Sequence, residues 1–345
     1  MKAVAYSIKP FEKEFLAKAN QKKHDITLIS NALSLDTVNF AEGKDAVIVF
    51  TNDDVSAAVV EKLAGLGVRY ITTRSTGTDQ IDKAAASRFC IKIANIPSYS
   101  PQAIAEHAVA MALALNRHLI KADERGHHFD FRNDNLIGFN FSGKTVGIIG
   151  LGHTGLAAAK IFDGFGCKVI GYDLAVPKGI SFVTPVKLND LLTSSDIISI
   201  HVPLTKETRH LIQKNTLDQM KNGIMLINTS RGPVINTKDL LLSLASGKIG
   251  YLGIDVYEYE KDLFFEDHEN DDMKDQLLVS LLEYPNVLIT PHQAFLTRES
   301  LQEIANQTIK NLDSWQMNKC VGAACACDKD SQKNIHCKPT DINAD

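Results

Sequence analysis

The chain has 345 residues, 44% of them apolar and 23% charged, and a formal net charge of −4. That length exceeds one ordinary core and predicts two domains, and acids and bases are mixed along the chain, giving no electrostatic ground for a nucleic-acid partner. No run approaches the roughly 18 uncharged apolar residues of a membrane span, and "MKAVAYSIKPFEKEF" lacks the apolar core of a signal peptide, so no membrane association and a cytoplasmic location are expected.

Short apolar runs alternate with helical patterns along most of the chain, the signature of parallel βαβ units. In the first hundred residues the predicted strands are 2–7, 25–30, 45–50, 68–74 and 91–96, with a helix-like stretch at 56–67. Residues 100–124, "SPQAIAEHAVAMALALNRHLIKADE", predict one long helix, because Pro101 suits a first turn and Ala, Leu and Met favour propagation. A second strand series follows at 144–150, 167–173, 196–202, 223–229, 249–255 and 286–290. Each is nearly all apolar, as strands covered on both faces are. "TRESLQEIANQTIKNLDSW" predicts a final helix returning to the first domain. The expected organisation is therefore a first domain at 1–100, a second at 101–296, a return helix at 297–318 and a disordered tail at 319–345.

Cys90 and Cys167 stand in apolar surroundings and read as buried thiols acting as small hydrophobes. Cys320, Cys325, Cys327 and Cys337 crowd into the tail beside His336. Their spacing matches no common zinc pattern, so no metal is expected.

The strand at 144–150 runs into Gly150-Leu151-Gly152-His153-Thr154-Gly155, a helical stretch follows, and a further strand ends at Asp173, some 18 residues beyond Gly155. Alone, G-x-G-x-x-G is a weak signal, but strand, loop, helix, strand and acid in this order make a Rossmann dinucleotide site. Gly150 allows the tight turn, Gly152 a close approach of the pyrophosphate, and Gly155 close packing of helix on strand. Helix N-terminal amides face the phosphates. Asp173 accepts from the ribose hydroxyls and repels a 2′-phosphate, which favours NAD over NADP.

Arg231, Asp255, Glu260 and His292 each follow a strand of the second series, where open α/β sheets bind ligands. An arginine grips a carboxylate with two parallel hydrogen bonds. A histidine exchanges a proton with a carbonyl or hydroxyl oxygen, and a paired acid favours its charged form. Beside a nicotinamide, the outcome is hydride transfer between a 2-oxo and a 2-hydroxy acid. His201 is a rival base, but with no acid close in sequence it reads as cofactor-side or structural. The remaining histidines read as lacking partners, and most acids of "YEYEKDLFFEDHENDD" read as solvated.

The motifs "RSTGTDQID", "IPSYSPQAIAEHA", "GLGHTG…GYD", "HVPLT", "INTSRGPVIN", "GIDVYEYEKDLFFEDHENDD" and "TPHQAFLT" resemble those of the D-isomer-specific 2-hydroxyacid dehydrogenases, the fermentative D-lactate enzymes in particular, over residues 1 to about 317. The resemblance implies two open parallel-sheet α/β domains, a Rossmann NAD-binding domain and a flavodoxin-like substrate domain, with a cleft that closes about a hinge. It implies that Arg231 binds the substrate carboxylate and 2-oxo group, that Glu260 orients and charges His292, and that His292 gives the proton. His153, Thr154, Asp173, Val202, Pro203, Thr208, Thr229, Ser230 and Asp255 match cofactor contacts. Backbone amides around Thr76 and Gly77 match carboxylate contacts, and Tyr99 and Phe295 match walls of a small pocket. A homodimer or homotetramer formed through the cofactor domain is implied. The expected reaction is NAD-dependent reduction of pyruvate to D-lactate. Hydroxypyruvate, phenylpyruvate or 2-oxoisocaproate is the alternative substrate, and a non-catalytic NAD-sensing protein the alternative class. Nothing in the resemblance accounts for the tail after the final helix.

Overall fold

A computed structural model describes residues 1–271 and 274–327. The chain divides into two compact units: Met1–Ser100 together with the chain from Thr297 onward, and Pro101–Leu296.

The first unit carries β1 (Lys2–Ala5), α1 (Pro10–Asn20), β2 (Asp25–Leu28), β3 (Ala46–Val49), α2 (Ala57–Gly65), β4 (Tyr70–Thr73), α3 (Lys83–Arg88) and β5 (Lys92–Ala94). Its sheet is parallel, in the order β2-β1-β3-β4-β5, the flavodoxin-like order. β3 and β4 are buried throughout, which explains their unbroken apolar or Thr-only composition.

In the second unit lie α4 (Pro101–Asn116), α5 (Leu119–His127), β6 (Thr145–Ile149), α6 (His153–Gly164), β7 (Lys168–Tyr172), β8 (Thr184–Pro185), α7 (Leu188–Ser194), β9 (Ile197–Ile200), α8 (Lys214–Leu217), β10 (Ile224–Asn228), α9 (Thr237–Ala245), β11 (Ile249–Ile254), α10 (Gln276–Leu282) and β12 (Val287–Ile289). The parallel order is β12-β11-β10-β9-β6-β7-β8. The order in which strands are added reverses between β6 and β9, the position where doubly wound folds open a ligand crevice at the strands' carboxyl ends. β9 and β10 are wholly buried, and their side chains divide between two apolar clusters.

The helix α11 (Arg298–Gln316) returns to the first unit. Its Asn311 amide donates to Thr72 Oγ1 at 3.1 Å and to the Asn95 carbonyl at 3.2 Å. Trp315 stacks on Tyr70 with ring centroids 4.8 Å apart. Thr297 caps the helix by accepting from the Ser300 amide.

Several elements depart from expectation. The stretch 100–124 is two helices, broken where His118 takes a left-handed φ of +49°; a basic Arg-His pair carries no sequence signal for that break. β8 is two residues long and leaves no apolar run to read. Cys90 is exposed, at φ +55°, and is not the buried thiol expected, whereas Cys167 is buried and hydrogen-bonds the Phe141 carbonyl. The tail is ordered over its first part, where a short 3-10 turn at Gly322–Ala324 leads into a bridge between Cys325 and Ala94. The rest of the predicted tail, with Cys337 and His336, lies outside the described residues.

Candidate active site

β12, β11 and β10 are neighbours in the sheet, and each ends in a polar group. His292 lies three residues past β12, Glu260 six past β11 and Arg231 three past β10. His292 Nδ1 meets Glu260 Oε1 at 2.9 Å, with side chains 13% and 17% exposed. The other Glu260 oxygen accepts from the Tyr257 amide at 3.0 Å, which fixes the carboxylate in one orientation. A proton on Nδ1 is held by the acid, leaving Nε2 as the atom for exchange with a ligand oxygen. The rings of Phe265 and Phe295 lie 5.8 and 6.4 Å from the imidazole, and Phe295 is buried.

His292 takes a left-handed φ of +52°, an uncommon backbone for a non-glycine residue. Asp255 holds that turn. Its carboxylate, 1% exposed, accepts from Thr290 Oγ1 at 2.6 Å and from the amides of Gln293 and Ala294 at 2.8 and 2.9 Å, while its carbonyl accepts from the His292 amide at 2.7 Å. With these donors Asp255 braces the His292 turn from within. His107 of α4 adds Nε2 at 3.0 Å from Thr290 Oγ1 and 3.4 Å from Asp255 Oδ1.

The Arg231 loop is shaped by Asn228, the last residue of β10. Its side chain accepts from the amide and hydroxyl of Ser230 and donates to the Arg231 carbonyl. Gly232 packs directly on the Tyr257–Glu258 peptide, where a Cβ would collide with the Tyr257 carbonyl. The loops that carry Arg231 and Glu260 therefore touch through backbone. Glu258 takes His210 Nε2 at 2.6 Å and the Thr237 amide at 2.8 Å, tying the 203–210 loop to the same place. Burial pushes the Glu258 carboxyl up, but the hydrogen bonds from Thr237 and His210 outweigh it and leave it below the ordinary carboxylate value.

At the switch point, Gly150 has φ +95° and faces the His201 carbonyl, so a side chain fits neither the backbone nor the space. Gly155 lies against the Gly150 carbonyl where a Cβ would clash, whereas Gly152 opens onto free space. Gly152 caps α6 without a side chain, so the first-turn amides of His153 and Thr154 remain for an anion. Asp173, after β7, accepts from the Leu151 amide at 2.6 Å and the Ala175 amide at 2.9 Å, which points the carboxylate at the loop. Val202 and Pro203 follow β9, and Thr208 folds that loop by donating to the Pro203 carbonyl. Thr229 Oγ1 is buried with no partner, and His201 Nδ1 likewise, the other His201 nitrogen lying 2.8 Å from Ser199 Oγ. Burial pushes His201 down to about 4, so it is neutral at pH 7 and unsuited to be the proton donor. A loop with one open glycine, free helix-start amides and an acid at the next strand fits a dinucleotide.

The profile described as D-isomer specific 2-hydroxyacid dehydrogenase, NAD binding domain, matches residues 109–294. The chain belongs to the D-isomer-specific 2-hydroxyacid dehydrogenases. It is 42% identical to 2-hydroxyacid dehydrogenase A of Aspergillus oryzae, covering 92% of this chain and 93% of that one. To the D-lactate dehydrogenase of Escherichia coli it is 40% identical, covering 91% and 96%. The solved D-lactate dehydrogenase of Aquifex aeolicus, complexed with NAD and lactic acid, superposes with a TM-score of 0.83 at 31% identity, over 92% of this chain and 96% of that one.

As a member of this family the protein is an NAD-dependent oxidoreductase acting on 2-hydroxy and 2-oxo acids, and its two parallel-sheet units are the family's fold. The substrate residues expected in the first unit fall at strand ends there. Thr76 and Gly77 follow β4 in a loop where Ser75 Oγ donates to the Gly77 carbonyl and Asn95 Nδ2 to the Thr76 carbonyl. Tyr99, half-buried, follows β5. Sequence reading missed the supports: Asn228, the Tyr257 amide, the Asp255–Thr290–His107 group and the Glu258–His210 pair. It also left His107, His210 and His24 without partners, whereas His24 meets Asp313 at 3.1 Å. The available signal was a polar residue closing an apolar run, as Asn228 does in "IMLIN".

Proposed function

We propose that this dehydrogenase reduces pyruvate to D-lactate in fermentation, with Arg231 as the carboxylate anchor and His292 as the proton donor charged by Glu260. NADH, when bound, supplies the hydride. The Arg231 guanidinium draws in the substrate carboxylate and polarises the adjacent oxo group. The His292 imidazolium, its Nδ1–H held by Glu260, hands the Nε2 proton to the oxygen as negative charge develops there. In the reverse direction the neutral ring takes that proton back. Gly150, Gly152, His153, Thr154, Gly155, Asp173, Val202, Pro203, Thr208, Thr229, Ser230 and Asp255 are the proposed cofactor contacts. Thr76 and Gly77 are proposed as carboxylate contacts, with Tyr99 and Phe295 as pocket walls. The aromatic surroundings of His292, Phe265 and Phe295, support a small substrate with an apolar methyl end.

The observation that carries this reading is the 2.9 Å His292–Glu260 pair with the second carboxylate oxygen held by Tyr257. A panel of 2-oxo acids assayed with NADH tests it. Pyruvate is expected to give the highest kcat/KM, ahead of hydroxypyruvate, phenylpyruvate and 2-oxoisocaproate, although one methylene shifts preference by only ~1–3 kcal/mol. A bulkier acid leading the panel replaces the substrate assigned here, and no turnover with any of them restores a non-catalytic NAD-sensing role. We also propose a homodimer or homotetramer located in the cytoplasm. Supporting the assembly, Phe129, Phe131 and Ile137 of the second unit are each at least 75% exposed. No helix among the described residues is long and apolar enough to cross a membrane.

A further inference from the structure

β5 is the last strand of the first unit's sheet, so one of its edges would offer unpaired amides and carbonyls. The start of the C-terminal extension covers that edge. The Asn95 amide donates to the Ala324 carbonyl at 2.9 Å, the Ala326 amide to the Ile93 carbonyl at 3.0 Å, and Cys325 bridges Ala94 in antiparallel register. Ala324 is buried, and Ala326 and Cys327 pack on the apolar cluster of the sheet. The Cys327 sulfur completes the seal: it accepts from the Ile93 amide at 3.3 Å and donates to the Ile93 carbonyl at 3.7 Å.

Cys325 and Cys327 are two residues apart in extended chain, which turns both side chains to one face. Neither is in a disulfide. Extended spacing puts such Cα atoms roughly 6.6 Å apart, the far end of what a disulfide spans, and the bond also needs Cβ atoms about 3.8 Å apart. Bridging the two sulfurs therefore bends the segment out of its extended form. That bend is incompatible with the backbone pairing to Ile93 and Asn95.

We propose that Cys325 and Cys327 form a thiol modification site, oxidised by hydroperoxides to an intrachain disulfide that lifts the extension off the β5 edge. One thiol is oxidised by the hydroperoxide to a sulfenic acid, releasing the alcohol, or water when the oxidant is hydrogen peroxide. The second thiol then displaces water to form the S–S bond, so two thiols lose two electrons and the peroxide O–O bond takes them. Asn95 links the edge to the substrate loop, since its amide holds Ala324 and its side chain holds the Thr76 carbonyl. Lifting the extension loosens that loop, and KM for the 2-oxo acid rises. This last step rests on the proposed role of Thr76; the latch does not.

The test is made on the full chain, reduced and then exposed to hydrogen peroxide. Peptide mapping with fragmentation is expected to find a Cys325–Cys327 bridge, lighter by two hydrogens, and amide exchange at Asn95 and Ala326 is expected to quicken at least about tenfold. Cys325→Ser should abolish both changes while leaving untreated exchange as in wild type, and Cys327→Ser should abolish the bridge. Pairing of either sulfur with another cysteine instead, sulfinic acid without a bridge, or a bridge with unchanged exchange overturns the proposal. KM for pyruvate is measured on the same samples. A chain that reduces no 2-oxo acid sinks the assigned activity but leaves the exchange result to stand. Faster exchange with an unmoved KM overturns the coupling through Asn95 alone.

Discussion

Glu260 meets a ring nitrogen with one oxygen and a backbone amide with the other, so its orientation does not depend on substrate. The Arg231 Nη1 donates to the neighbouring Ser230 carbonyl at 2.8 Å, and its proposed task is to hold the substrate carboxylate. Hydrogen bonds to charged groups are worth about 1.5–3 kcal/mol each. Arg231→Ala should therefore lower kcat/KM for pyruvate by roughly 10- to 100-fold or more, while NADH affinity measured by fluorescence stays near wild type. Kinetics unchanged from wild type would remove Arg231 from the site. His201 yields a prediction about stability. Its folded value lies near 4, below the ordinary 6.5. Between those two pH values the unfolded chain binds a proton that the folded chain does not, so stability falls as pH drops through that window. His201→Gln should flatten this acid limb in urea midpoints taken from pH 7 to 4; an equally steep limb would show that other groups cause it.

Secondary elements were legible wherever burial on both faces forced an apolar run, as in β3, β9 and β10. They were hidden where structure comes from backbone geometry alone, as at His118 or in the two-residue β8. The site divides the same way. Arg231, Glu260 and His292 follow recognisable strands, so their gathering on β10, β11 and β12 could be read in advance. The Tyr257 amide and the Gln293 and Ala294 amides that hold Glu260 and Asp255 could not, because every residue has an amide and only the fold aims it. For Asp255, a carboxylate at a strand end is visible in the sequence, but the donors that fix it are not. At the end of β7, the Asp173 carboxylate faces the Gly150–Gly155 loop. Like charges a few ångströms apart cost several kcal/mol at an effective dielectric of ~20. Asp173→Ser should thus raise the NADPH-to-NADH ratio of kcat/KM by about tenfold or more, and an unaltered ratio would place the 2′-position elsewhere.

For the molecule as a whole, Phe129 and Ile137 are 88% and 87% exposed in a stretch of the second unit that holds no strand. Exposed aromatic and branched groups of this kind support the proposed assembly. Sedimentation should show a dimer or tetramer, and Phe129→Asp with Ile137→Asp should shift it towards monomer. A wild-type monomer at micromolar concentration would contradict the assembly.

Everything proposed for the site rests on an imidazole held by one carboxylate, Glu260 Oε1 lying 2.9 Å from His292 Nδ1. The kcat for pyruvate reduction at saturating NADH, compared between wild type, Glu260→Ala and His292→Ala, tests this most directly. Loss of the general acid should cost roughly 10²–10⁴-fold in kcat, and loss of the carboxylate that orients it should lower kcat in the same direction. A wild-type kcat in either variant would contradict it.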